Sequence, residues 1–186
     1  MAKIGIICAF LLLIGSAASA QTYFGVGGMA VFLDDAEVRG GGLTGEASFD
    51  TGWGAMAFFG HQYTLMRLEF EGAYRRNDID RLEVGLVDAS TSGKLEAMSA
   101  MFNVYLDFGQ LMFRPFIGAG AGGARLEADF EGVDERDTVF AYQGIAGLSF
   151  GGGFDLGYRY FATEDPRFNG VRSEYNSHNV YLAFRF

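Results

Sequence analysis

Apolar and polar residues alternate with period two along most of the chain. Eight stretches carry the pattern, at about 22–33, 52–63, 66–76, 95–108, 112–124, 138–149, 154–162 and 177–186. Strict alternation is the mark of a β-strand with two unlike faces. In the third stretch Met66, Leu68, Phe70 and Tyr74 share one side, and Arg67, Glu69, Glu71 and Arg75 the other. In the fourth, Met98, Ala100, Phe102, Val104, Leu106 and Phe108 oppose Ala97, Ser99, Asn103, Tyr105 and Asp107. The seventh sets Leu156, Tyr158 and Tyr160 against Asp155, Gly157 and Arg159, and the eighth sets Val180, Leu182, Phe184 and Phe186 against Asn179, Tyr181, Ala183 and Arg185. No stretch shows capped, helical spacing. The chain is predicted to be all-β.

The connections say how the strands are joined. Three are short: Thr64-Leu65, Gly109 to Leu111, and Gly151-Gly152-Gly153. Four are long and polar, at about 34–51, 77–94, 125–137 and 163–176, and the two kinds alternate along the chain. That rhythm predicts an eight-stranded antiparallel up-and-down barrel of the outer-membrane kind, with short periplasmic turns and longer extracellular loops. An even strand number places both termini on the periplasmic side.

Opposed residues in an antiparallel pair point the same way, which tests the register. A turn at Thr64-Leu65 pairs Gln62 with Arg67. One centred on Gln110-Leu111 pairs Phe108 with Phe113 and Asp107 with Arg114. The triple glycine pairs Phe150 with Phe154 and Ser149 with Asp155. Each pairing keeps polar with polar and apolar with apolar.

The polar side also carries Gly25, Gly27, Gly60, Gly118, Gly120, Gly122 and Gly157. Glycine weakens an exposed strand but suits a place where backbones and side chains crowd together. The polar side is therefore assigned to the lumen and the apolar side to lipid. An aromatic content of 16% without long apolar runs agrees with strands that touch lipid on one face only.

Residues 1–20 stand apart. Lys3, the apolar run Ile4 to Ile14 and the small residues Ala18-Ser19-Ala20 have the layout of a cleaved secretory signal peptide. The barrel domain is then 21–186, and the single cysteine, Cys8, leaves with the signal. A net charge of −9 argues against nucleic-acid binding, which needs a basic surface. Most acidic residues lie in the long connections. The densest run, Glu127, Asp129, Glu131, Asp134, Glu135 and Asp137, lacks the ordered spacing of a calcium loop. Gly40-Gly41-Gly42 and Gly151 to Gly153 read as turn glycines, since no helix follows to complete a phosphate site.

Tyr23-Phe24-Gly25-Val26-Gly27, Arg114-Pro115-Phe116-Ile117-Gly118-Ala119-Gly120 and Asp155-Leu156-Gly157-Tyr158-Arg159-Tyr160 resemble the small eight-stranded outer-membrane barrels of the outer membrane protein A and opacity-protein type. The ending resembles that family's C-terminal insertion signal, carried by Val180, Leu182, Phe184 and Phe186. The resemblance implies residence in the outer membrane, contact with its lipid and lipopolysaccharide, and insertion by the barrel assembly machinery. It also implies roles ranging from adhesion and host interaction to envelope stability, with a few lipid-modifying enzymes among the members. It names no surface ligand. With the chain ending at Phe186, the peptidoglycan-tethering role of some members is not expected.

The lumen is expected to hold a charge network of Arg67, Glu69, Glu71, Arg75, Asp107, Arg114, Asp155, Arg159 and Arg185. Asp107 should meet Arg114, and Asp155 should meet Arg185; Glu69 and Glu71 need Arg67, Arg75 or Arg159. An eight-stranded barrel is just wide enough for side chains to fill it, which disfavours a diffusion pore. No catalytic, cofactor or metal site is expected. His61 and His178 fall near opposite ends, and Ser177 and His178 point to opposite faces because they are adjacent on a strand. The expected function is a structural or surface-interaction barrel. A small pore and a lipid A-modifying enzyme are the alternatives.

Overall fold

The computed structural model describes residues 21–33, 36–40, 43–49, 51–84, 87–89, 93–109, 112–130, 133–164, 167–168, 171–172 and 175–186, side chains at 36–49, 79–93, 128–136 and 167–172 excepted. The expected signal peptide, Gly41-Gly42 and the turn centre Gln110-Leu111 lie outside the described residues.

Eight long strands build the wall: β1 (Gln21–Leu33), β4 (Gly52–Gln62), β5 (Met66–Val84), β7 (Gly93–Asp107), β8 (Phe113–Phe130), β9 (Val133–Phe150), β10 (Phe154–Thr163) and β13 (Asn176–Arg185). Each pairs antiparallel with the next, and β13 pairs back onto β1 from Gly25↔Arg185 to Leu33↔Ser177. The ring is closed, so the long strands leave no free edge within it. The seam is completed by Phe24 and Phe186, whose backbones exchange hydrogen bonds of 3.0 and 2.9 Å. This is the antiparallel eight-stranded barrel that the alternation predicts.

Two of the three tested registers are found as expected: Gln62↔Arg67, and Phe150↔Phe154 with Ser149↔Asp155. The third is not. Asp107 pairs with Phe116 rather than Arg114, and the Phe108 amide donates to the Pro115 carbonyl. The reversal therefore spans more residues than a tight turn, and Gly109 takes a φ of 88°, open to glycine at little cost. A slip of two residues leaves every side chain on its expected face.

The long connections also differ from expectation. The segment 125–137 is mostly strand: β8 and β9 stay paired out to Phe130↔Val133. β5 likewise runs on to Val84, where β3 (Leu43–Phe49) and β6 (Val87–Ala89) pair with it, and β2 (Ala36–Gly40) pairs with β3. A small hairpin, β11 (Arg167–Phe168) with β12 (Val171–Arg172), lies in the last connection. Backbone ladders persist here, but charged residues occupy both faces, as in Arg125 and Glu127 beside Asp137. With no apolar side left, the period-two signal fades.

The polarity of the wall is inverted relative to a water-soluble barrel. Arg67, Glu69, Glu71, Arg75, Asn103, Asp155 and Arg159 are all buried, while Phe24, Trp53, Phe70, Phe102, Ile117 and Leu182 are each about half exposed. Aromatic pairs gather toward both ends of the outer surface. Phe24–Phe59, Phe113–Phe150 and Phe154–Phe184 lie toward the short turns, and Trp53–Tyr74 and Tyr160–His178 toward the long connections. Two aromatic girdles around an apolar band are what a strand wall in lipid presents.

Candidate functional site: the filled lumen

Along each strand the inward residues are fixed by parity, so β5 delivers Arg67, Glu69, Glu71 and Arg75 to the lumen in one column. β10, on the diametrically opposite wall, delivers Asp155 and Arg159. The two columns join across the barrel. Arg159 donates to Glu71 through Nη1–Oε1 at 2.6 Å and Nη2–Oε2 at 2.8 Å. Nearer the short turns, Arg67 Nη1 donates to Asp155 Oδ2 at 3.1 Å and to Glu69 Oε1 at 3.2 Å.

The remaining lone pairs are met by neighbours. Tyr23 Oη donates to Glu69 at 2.6 Å, and Asn103 Nδ2 donates to Glu71 at 3.2 Å. Asp155 accepts from Ser149 Oγ at 2.6 Å and from Arg185 Nη2 at 2.8 Å. A buried ion pair is favourable only when such extra bonds satisfy the partners. These carboxylates gain such bonds, whereas Nε and Nη2 of Arg67 and Nε of Arg159 make none.

Asp107 departs from expectation. Its oxygen lies 3.0 Å from Arg67 Nε, a charge contact rather than an aligned hydrogen bond, and accepts from Gln62 Nε2 at 3.3 Å. Arg114 does not meet it. The two-residue slip of the β7–β8 register separates them, and Arg114 sits half-buried opposite Ser149 and outside the network. Arg75 joins no carboxylate among the described residues; its Nη1 donates to Ser99 Oγ at 2.9 Å.

Aromatic rings on the polar face complete the filling, a part that reading the charges alone missed. Arg67 lies 4.5 Å from the Tyr105 ring and 4.9 Å from Phe116, Arg75 4.1 Å from Phe161, and Arg159 5.0 Å from Tyr181. Each contact adds a cation–π attraction that strengthens with desolvation. The signal was present in the register. Tyr23, Phe58, Tyr105, Phe116 and Tyr181 stand directly opposite Gly60, Gly25, Gly118, Gly147 and Gly157. A Cβ at Gly60 would come within 2.4 Å of the Tyr23 ring, and one at Gly157 within 2.5 Å of Tyr181. Each glycine leaves the room its ring occupies. The cavity between Met56, Arg67, Glu71, Tyr105 and Arg159 is only about 10 Å³, at most one water.

The remaining candidates separate. His61 contacts Thr22 Oγ1 at 3.0 Å near the short turns, whereas His178 meets the Tyr158 hydroxyl on the outer face. Ser177 is buried and accepts from Asn179 Nδ2 at 3.2 Å. It faces away from its neighbour His178. Among the described residues no three His, Cys, Asp or Glu side chains gather to hold a metal ion. Val180, Leu182 and Phe184 form one outward column on the closing strand, β13, and Phe186, directly after it, is exposed as well.

Residues 6–186 match the outer membrane protein beta-barrel domain. The chain belongs to that family. An apolar outer wall around a charged, filled lumen is thus the wall of an outer-membrane barrel, in contact with outer-membrane lipid. Its fold is similar to the crystal structure of Neisserial surface protein A (NspA), with a TM-score of 0.61 and 21% identity over 90% of this chain and 98% of that one. It is also similar to Ail, the attachment invasion locus protein of Yersinia pestis, with a TM-score of 0.48 and 12% identity over 91% of this chain and 100% of that one. No curated protein matches the sequence.

Proposed function

We propose that this outer-membrane barrel is a structural or surface-interaction protein that works through its outer faces and is closed to steady ion flow at rest. The observation that carries the reading is the lumen, crossed by side chains tied over its diameter, with a cavity for about one water beside the Arg159–Glu71 bridge. Neither a diffusing solute nor a lipid substrate has a path through it. The Ser177–His178 neighbours, pointing to opposite faces, offer no dyad for lipid A hydrolysis, which supports a non-enzymatic role.

In this reading the short turns and both termini are periplasmic, and the four long connections are extracellular. The paired strands β8–β9 and the β2–β3–β5 extension then stand above the membrane as the surface available to a ligand or to lipopolysaccharide. Residues 1–20 act as the export signal. Val180, Leu182, Phe184 and Phe186 serve the barrel assembly machinery, on the strand that must find β1 before the ring can close.

Epitope tags inserted at 41–42 and 131–132 test the orientation. Antibody should reach both on intact cells, while a tag between Gly151 and Gly153 should be reached only after lysis. The opposite pattern overturns the topology. A deletion strain compared for envelope leakiness, surface attachment and lipid A composition then separates the roles: unchanged leakiness and attachment with altered lipid A would favour the enzyme.

A further inference from the structure

The guanidinium of Arg75 differs from the other buried arginines of the lumen. It is fully buried toward the long-connection end, opposite Ala97 on β7 and under the ring of Phe161, itself part of an apolar cluster with Met101, Leu126 and Tyr175. Arg67, Arg159 and Arg185 all hold carboxylates. Arg75 holds none among the described residues. Glu71, four residues earlier on the same column, has both oxygens taken by the two terminal nitrogens of Arg159, with Asn103 added on Oε2.

What Arg75 leaves open has a definite shape. Nη1 is committed to Ser99, and the ring of Phe161 covers the guanidinium at 4.1 Å. Nε and Nη2 make no hydrogen bond within the protein. These two nitrogens donate in parallel from one edge of the guanidinium. That edge is the fork that fits two oxygens of a carboxylate or similar oxyanion at once. A buried charge with no carboxylate in direct contact is disfavoured, and the nearest one, Glu71, is held by Arg159, so a ligand that supplies one gains binding energy from the relief.

We infer that Arg75 is a receptor for one small oxyanion of the carboxylate class, bound side-on through Nε and Nη2 on the long-connection side of the Arg159–Glu71 bridge. That bridge blocks the route from the short turns, so the anion enters from the other end. Arg75 is fully buried and its two free nitrogens touch no solvent, so only a compact carboxylate that displaces neighbouring side chains can reach them.

The probe is formate, added to the full folded barrel in neutral-detergent micelles at constant ionic strength, with a bulky sulfonate as the balancing anion. In protein labelled with nitrogen-15 arginine, the Arg75 side-chain Nε resonance is the one lost in Arg75→Lys. It should move saturably with formate, while the Arg159 resonance, already gripped by Glu71, stays in place. Formate should also raise the urea midpoint of the wild type and leave that of Arg75→Met unchanged. An unmoved Arg75 resonance, or a linear drift shared by all the arginines, overturns the site. Because the resonance is read on the wild-type protein, failure of Arg75→Met to fold would not shield the proposal.

Discussion

Arg159 and Glu71 reach each other across the full diameter of the barrel, from β10 to β5, and meet through both nitrogens and both oxygens at 2.6 and 2.8 Å. The pair does two things. It neutralises charge buried inside the lumen, and it ties opposite walls that share no backbone hydrogen bond.

Removing one partner should therefore cost more than removing both. Glu71→Leu leaves the Arg159 charge buried, at about 3–5 kcal/mol by the behaviour of broken buried pairs. Glu71→Leu with Arg159→Met should recover most of that loss. Urea midpoints in micelles for the two single variants and the double variant measure the coupling. Additive losses would show that the bridge is not the unit it looks to be.

Glycines on one strand should respond by face. At Gly147 an added Cβ would lie 2.5 Å from both the Leu156 carbonyl oxygen and the Phe116 ring, whereas at Gly144, on the lipid side, nothing lies within 4 Å. Gly147→Ala is expected to destabilise by about 1–3 kcal/mol, the cost of overpacking. Gly144→Ala should be neutral or slightly stabilising, because alanine loses less backbone freedom on folding. Folding yield and urea midpoint check both.

The outer column is equally specific. Leu182 is 55% exposed on the closing strand, and Leu182→Arg places a charge in the apolar band, at about 2–4 kcal/mol near the midplane. Leu182→Ala should have a much smaller effect. The fraction of protein that inserts into lipid vesicles, read by the shift of folded barrel on an unheated gel, should fall sharply for arginine alone.

The eight strands and their faces were legible because lipid outside and crowding inside impose opposite demands at every second residue. The two tight hairpins were legible for the same reason, as Gln62↔Arg67 and Ser149↔Asp155 show. The β7–β8 reversal was not. A slip of two residues preserves parity, so nothing in the pattern distinguishes Asp107 opposite Arg114 from Asp107 opposite Phe116. The charges of the lumen could be named from parity, but their partners depend on strand stagger, which brought Arg67 to Asp107 and left Arg75 apart. Strand continuation through Arg125 to Phe130 was hidden because charged residues on both faces of the paired strands erase the period-two pattern.

Conductance across a planar lipid bilayer tests the central claim, a lumen filled and tied shut, most directly. The wild-type barrel should give only rare, small current events, and Glu69→Gln with Glu71→Gln, which takes one of three carboxylates from Arg67 and the only one from Arg159 among the described residues, should make openings more frequent. Steady, large and reproducible conductance from the wild-type chain would contradict the account and make the protein a pore.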